Sequence, residues 1–343
     1  GAEYNMNFLE DPVIVFYEVT RACLLSCKHC RANAIPRRNP MELNLKEISS
    51  LADQLLEFNV KPLVVITGGD PLMRDDIIEI LDIFKDRGFN LAISFSGTAL
   101  ATEEKMDDIA MRVKNIAISL DGSNKAIHDG FRNVEGTFEK SLETINYVKG
   151  KTSLQINSTI GKHNIKDIEN IYALLKKMDI RSWDLFFLVP TGRATDILSL
   201  EKNEVLYALN FLYQIHSSGG MRIKTTEAPF YNRKKVEGEK KLPVTRDSNG
   251  LGVTDGRGTI FISHIGEIYP TGFLPLNAGN VRKDRIVNVY RNSDIFIKLK
   301  NPKFLKGKCG KCPYKEICGG SRARAYATTG DYLEEDPACP YEV

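Results

Sequence analysis

From residue 13 to about 190 the chain alternates two textures. Short runs of apolar and β-branched residues occupy positions 13–19, 63–67, 91–95, 116–120, 154–158 and 183–188. Between them, apolar residues recur at helical spacing over 45–58, 76–86, 103–113, 137–148 and 165–178. Asn44 and Asp75 stand where N-caps belong. Strands that alternate with helices build a parallel sheet through right-handed crossovers. Six such units fall short of an eight-stranded barrel, so the expected fold is α/β, a partial (β/α)6 parallel barrel. In such folds chemistry gathers at the carboxyl ends of the strands.

Residues 198–216 predict a further amphipathic helix. The texture then changes: 217–220 reads as a turn, 232–241 as a charged, solvated loop, and 259–262 with 267–269 as a β-hairpin. The last 44 residues hold four cysteines and few long apolar runs. Such a segment makes little core alone and calls for a metal staple. The organisation expected is a barrel over 1–215, a linker carrying the hairpin over 216–300, and a small α+β metal-binding extension over 301–343.

The 343 residues carry 47 Lys+Arg against 44 Asp+Glu, a formal net charge of +3. That balance argues against a nucleic-acid partner held through phosphates. No apolar run reaches the roughly 18 residues of a membrane span. With no basic-then-apolar leader, the expected location is the cytoplasm.

Seven cysteines change the picture, because none lies between 31 and 308. An odd count in two end clusters is a poor disulfide framework and a good set of thiolate ligands. The first cluster is Cys23-x3-Cys27-x2-Cys30, directly after the first strand. These gaps suit a loop wrapped around a cubane, each sulfur on its own iron, with the fourth iron open; the ferredoxin run is spaced differently. Incidental or zinc-binding thiols are the bland alternative.

This segment resembles the cluster loop of the radical S-adenosylmethionine (radical SAM) superfamily, with His29 where the family usually has an aromatic residue. The resemblance implies an open-site [4Fe-4S] cluster, S-adenosylmethionine as cofactor, and a 5′-deoxyadenosyl radical that abstracts a substrate hydrogen. Gly68-Gly69-Asp70-Pro71, by itself a plain strand-to-helix turn, resembles the family's Gly-Gly-Glu-Pro motif, which takes the cofactor's amino group; Asp is one methylene shorter. Ser119-Leu-Asp121-Gly122 resembles the ribose-contacting segment. Asn157 and Val189 fall where the family places further cofactor contacts.

The tail thiols Cys309, Cys312, Cys318 and Cys339 have gaps of two, five and twenty. Zinc and iron–sulfur fit that spacing equally. The region resembles the SPASM or twitch extensions of radical SAM enzymes, with Thr271 and Ser321 where relatives often carry cysteine. That implies one auxiliary [4Fe-4S] cluster with no open iron. The segments 318–326, 329–332, 189–193 and 228–231 resemble the enzymes of alternative haem and haem d1 biosynthesis, which remodel acidic side chains of a tetrapyrrole. Peptide-modifying maturases share the architecture, so a peptide substrate stays open beside a carboxylate-bearing small molecule. A non-enzymatic iron–sulfur or zinc protein is the reading from another class. The enzyme readings require a low-potential electron donor such as ferredoxin or flavodoxin. Arg193, His128 and Tyr231 are the candidates for work on the substrate beyond the cluster. Arg322 and Arg324 read better as packing of the tail loop, and Tyr17 and Tyr269 as apolar packing.

Overall fold

A computed structural model describes residues 6–241 and 246–343. The barrel region runs β1 (Ile14–Glu18), α1 (Leu45–Leu55), β2 (Leu63–Thr67), α2 (Ile77–Asp86), β3 (Leu91–Phe95), α3 (Glu103–Ala110), β4 (Asn115–Ser119), α4 (Lys125–Arg132) and α5 (Thr137–Val148). It continues with β5 (Ser153–Ile160), α6 (Ile168–Lys177), β6 (Ser182–Phe187), α7 (Lys202–Ser217), β7 (Arg222–Thr226) and α8 (Phe230–Glu239). Then follow β8 (Thr259–Ile262), β9 (Glu267–Tyr269), β10 (Gly279–Asn280), α9 (Ile286–Asn292), α10 (Asp294–Lys300), α11 (Gly307–Lys311) and α12 (Arg322–Thr329).

All ten strands form one open sheet in the order β10-β9-β8-β1-β2-β3-β4-β5-β6-β7. Neighbours from β1 to β7 are parallel, β8 joins β1 in parallel, and β9 and β10 turn back antiparallel. The strands are buried because helices cover the sheet from outside: Ile48, Leu51 and Leu55 of α1 and Ile77, Ile80 and Phe84 of α2 are sealed from solvent. Asn44 caps α1 with a reciprocal box, its side chain taking the Glu47 N–H while Glu47 takes its own.

Several expectations shift. Asp76, not Asp75, precedes α2, and it makes no side-chain cap bond. The charge run at 232–241 lies almost wholly in helix α8, whose Phe230 and Tyr231 are buried. The expected linker over 216–300 supplies β7, β8, β9 and β10 to the same sheet as the barrel. The hairpin itself forms as expected, Phe261 opposite Tyr269. Among the described residues no helix is long and apolar enough to cross a membrane.

The tail packs on the mouth of the barrel. Leu274, Leu299 and Ala323 close an apolar cluster with Val189, which follows β6. Arg324 of α12 donates to the carbonyls of Phe187 and Glu227, at the ends of β6 and β7.

Candidate active site

Residues 19–36, between β1 and α1, carry the first three cysteines. Cys23 N–H donates to Ile35 O and Ile35 N–H to Arg21 O, so the loop closes on itself. Arg193 grips it from the far side. Its backbone N–H reaches Cys30 O at 3.0 Å, its Nε Cys27 O at 3.0 Å, and its Nη1 Ala34 O at 2.8 Å. Gly192 beside it has φ +63°, and a Cβ there would stand 2.3 Å from Cys30 O. Only glycine permits both the left-handed backbone and this approach.

Cys23, Cys27 and Cys30 open into one cavity, continuous with solvent. The walls come from strand ends, as the fold class requires: Gly68 and Gly69 after β2, Ser94 and Ser96 around the end of β3, Ser119 of β4, Asn157 and Thr159 of β5, and Phe186 through Val189 at the end of β6. Sequence-predicted Gly68, Gly69, Ser119, Asn157, Val189 and Arg193 therefore meet the three thiols in one place.

Burial pushes the Cys23 thiol up to about 12, despite the Leu25 N–H donated to its sulfur. Cys27 is raised by the same cause, opposed by the Arg132 guanidinium, whose Nη1 lies 3.8 Å from its sulfur. A buried thiol gives up its proton readily only when a metal or a nearby cation stabilises the thiolate. Among the described residues no three His, Cys, Asp or Glu side chains converge as they would around a single ion. A cubane asks for a wider set, because each thiolate binds a different iron. Three thiols on one loop facing a shared cavity meet that requirement.

The Gly68–Pro71 turn is stitched to the cluster loop: Gly69 N–H donates to Thr20 O and Asp70 N–H to Ala22 O. A Cβ on Gly69 would stand 2.5 Å from Ala22 O and 2.6 Å from Arg21 O. The glycines thus let two backbones touch, and their surface lines the cavity. Asp70 corrects the expectation. Its carboxylate turns inward, accepting from Leu72 N–H at 3.0 Å and the Thr98 hydroxyl at 3.2 Å, and burial lifts it to about 6. Neither Asp70 nor Pro71 lines the cavity; of this turn, Gly68 and Gly69 do.

Asp121 is also withdrawn. It is fully buried, bonded to Arg132 Nε at 2.6 Å and to Thr159 N–H at 2.7 Å, and Arg132 heads the influences that hold it well below the usual carboxylate range against the cost of burial. Its partner Arg132 lines the cavity. His128 is buried and takes the Asp121 N–H on Nδ1 at 3.0 Å; it does not line the cavity. Tyr231 is sealed in the core, its hydroxyl on Leu212 O, and it too is absent from the walls. His29 does line the cavity and stacks on Phe131, their centroids 4.2 Å apart. Sequence reasoning missed Arg31, which lines the cavity one residue past the last thiol.

In the tail, Cys309 and Cys318 are buried and Cys312 and Cys339 half-buried. Backbone N–H groups of Tyr314, Gly320 and Asp336 donate to the sulfurs of Cys312, Cys318 and Cys309 at 3.4, 3.4 and 3.5 Å. Arg322 Nη2 reaches Cys309 Sγ at 3.5 Å, while its Nη1 holds the carbonyls of Tyr332 and Glu334. Arg322 and Arg324 are thus packing residues of the tail, as expected. Ser321, at the position where relatives often carry cysteine, bonds Glu227 and caps α12.

Residues 17–190 match the family described as the radical SAM superfamily. The AdoMet-dependent heme synthase of Oleidesulfovibrio alaskensis is 36% identical, over 96% of this chain and 87% of its own. The Fe-coproporphyrin III synthase of Methanosarcina barkeri is 29% identical, over 97% and 89%. Streptococcus suis SuiB, solved with S-adenosylmethionine bound, superimposes with a TM-score of 0.75 at 14% identity, covering 97% of this chain and 78% of SuiB. The chain belongs to the radical SAM superfamily: it is an enzyme that works with S-adenosylmethionine and a [4Fe-4S] cluster.

Proposed function

We propose that Cys23, Cys27 and Cys30 hold the family's cluster and that the cavity beside them remodels a tetrapyrrole bearing carboxylate arms. Bound together, cluster and cofactor supply a 5′-deoxyadenosyl radical by reductive cleavage of the sulfonium. This chain's residues do the rest. The carbonyl oxygens of Gly68 and Gly69, which accept from no backbone N–H among the described residues, suit the cofactor's ammonium. Ser119, Asn157 and Thr159 offer hydroxyl and amide groups to a ribose. Arg132 places a buried positive charge beside Cys27, which offsets the negative charge of three thiolates. The enclosing strand ends keep water from the reacting C–H bond and hold it in place.

One observation carries the substrate assignment. The same cavity joins flat aromatic faces, Phe186, Phe187 and Phe273, to three guanidinium groups, Arg31, Arg132 and Arg193. Phe186 and Phe273 lie 6.3 Å apart between centroids. Aromatic faces suit a planar macrocycle, and the positive charge of the guanidinium groups suits its carboxylates. The heme synthase and Fe-coproporphyrin III synthase relatives lend the reading its second support.

The tail thiols Cys309, Cys312, Cys318 and Cys339 hold an auxiliary [4Fe-4S] cluster in this reading. Support comes from their N–H···S bonds and from the buried guanidinium beside Cys309, features that tune such clusters. With all four irons ligated, its part is electron transfer or structure. A low-potential donor of ferredoxin or flavodoxin type supplies the first electron. The divisions of the chain follow: a barrel to about 215, sheet-extending strands to 300, and the cluster segment from 301.

The test is anaerobic turnover. Reduced, reconstituted enzyme with S-adenosylmethionine is given coproporphyrin-type and sirohaem-derived substrates, and the products are weighed by mass spectrometry. Loss of mass from the carboxylate arms, with 5′-deoxyadenosine formed in step, is expected. Cofactor cleavage with every tetrapyrrole left intact contradicts the substrate assignment.

A further inference from the structure

Arg31 stands out among the cavity residues because its guanidinium is braced on one side and open on the other. Its Nη1 donates to Glu18 Oε2 at 3.0 Å. Its plane lies over the Phe261 ring, 4.7 Å from the centroid, with Phe273 at 5.9 Å. Among the described residues nothing accepts from its Nε or Nη2, and the side chain keeps 17% of its exposure toward the cavity it lines. An arginine held by one nitrogen and a ring face presents its remaining edge as a preset fork.

The brace is itself fixed. Glu18 ends β1, is 4% exposed, and accepts from His264 Nδ1 at 2.9 Å through its other oxygen. Asn39 Nδ2 lies 3.4 Å from His264 Nε2. An amide donor at Nε2 leaves the imidazole proton on Nδ1, directed at Glu18, a tautomer assigned from the network. Glu18 is thereby held ionised against the cost of its burial, by His264 and by Arg31. Asn39, His264, Glu18 and Arg31 thus form one hydrogen-bonded line that ends in the cavity. Gly272 completes the seat: a Cβ there would stand 2.9 Å from Arg31 Cζ and 2.7 Å from the Phe261 ring.

We propose that Arg31 is the anchor for a substrate carboxylate, set at a fixed angle by Glu18 and Phe261, and that it selects acidic over esterified or decarboxylated rings. The assignment deepens the tetrapyrrole reading and rests on it. Arg193 cannot serve equally, since two of its three guanidinium nitrogens hold the cluster loop. Arg132 is committed to Asp121, Ser96 and Cys27.

Binding without turnover tests it. Oxygen-free holoenzyme is titrated with Fe-coproporphyrin III and, separately, with its tetramethyl ester, following the Soret band. The wild type is expected to bind the tetra-acid. Arg31→Gln weakens that binding about tenfold or more, because a charge-assisted pair is lost, and Arg31→Lys weakens it less. The ester binds wild type and Arg31→Gln alike. Gly272→Ala, which displaces the guanidinium without removing it, imitates Arg31→Gln. Iron content and thermal unfolding show that the variants are folded. Unchanged tetra-acid affinity in both folded variants overturns the Arg31 assignment alone. An equal loss for the ester overturns it too. A wild type that binds neither porphyrin overturns the tetrapyrrole reading, and the anchor with it.

Discussion

Arg324 and Asp336 form an ion pair sealed from solvent, Nη1 3.0 Å from Oδ2, with side-chain exposures of 5% and 0%. The pair lies between the two parts of the enzyme. Asp336 sits three residues before Cys339, and Arg324 also holds the carbonyls of Phe187 and Glu227 at the strand ends. Removing one partner strands the other charge in the interior, which costs about 3–5 kcal/mol. Arg324→Met is therefore expected to lower unfolding stability by that order in denaturant titration. Arg324→Met/Asp336→Leu recovers part of the loss, because no lone charge remains. A double variant no better than the single would contradict the role of the pair.

On the proposed reading, the two thiol groups separate by function. Cys27→Ala removes a ligand of the cluster that the cofactor meets, so 5′-deoxyadenosine formation falls to background. Cys312→Ala lowers iron and sulfide content while cleavage uncoupled from substrate persists. Chromatographic quantitation of 5′-deoxyadenosine beside iron analysis checks both; undiminished cleavage in the first variant refutes the assignment of the front loop.

Gly69 is the tightest point between the glycine turn and the cluster loop. A Cβ there meets two carbonyl oxygens of the backbone, which cannot swing aside as a flexible side chain would. Gly69→Ala is expected to weaken S-adenosylmethionine binding by about tenfold or more, measured by equilibrium dialysis, a loss in keeping with a strained backbone costing ~1–3 kcal/mol. Affinity equal to wild type would show that the turn yields freely.

Asp70 predicts a pH signature in protein free of cofactor. Its carboxyl is lifted by burial from an ordinary 3.8 to about 6. The folded state then binds the proton more tightly than the unfolded state does. Its contribution to stability is full below pH 4 and is lost as the pH rises through 6, at most about 3 kcal/mol. Asp70→Asn is never charged and should flatten that fall. Chemical denaturation between pH 4 and 8 checks it: an identical slope in wild type and variant would contradict the inward burial of the carboxylate.

Much of this arrangement is legible in the sequence, for physical reasons that vary by element. The six barrel strands announce themselves because one face is sealed under helices and the other is largely covered, so their apolar runs are little broken, as at Leu63–Thr67. The glycine turn and the three thiols are legible because their spacing serves a chemistry. Helix α8 is hidden because Arg233, Lys234, Glu237 and Glu239 fill its sequence with charge, and only Phe230 and Tyr231 are buried. Strand β7, Arg-Ile-Lys-Thr-Thr, sits at the sheet edge, with fewer apolar positions to show it. Asp70 and Asp121 mislead in the same way: residue type points to a ligand, while Thr98, beyond β3, and Arg132, at the end of α4, draw the carboxylates inside. Arg31 was invisible because its significance depends on Glu18, Phe261 and Gly272, which only the closed sheet edge between β1 and β8 brings together.

The central claim is that the Cys23, Cys27 and Cys30 loop grips a cubane with one iron open to the cofactor. Electron paramagnetic resonance of the dithionite-reduced Cys312→Ala/Cys318→Ala chain, prepared without oxygen, addresses it directly, since only the front cluster then contributes. A [4Fe-4S]⁺ signal whose shape changes when S-adenosylmethionine is added is the predicted result. A signal indifferent to the cofactor, or a chain that carries zinc and no iron at its front loop, would contradict the account.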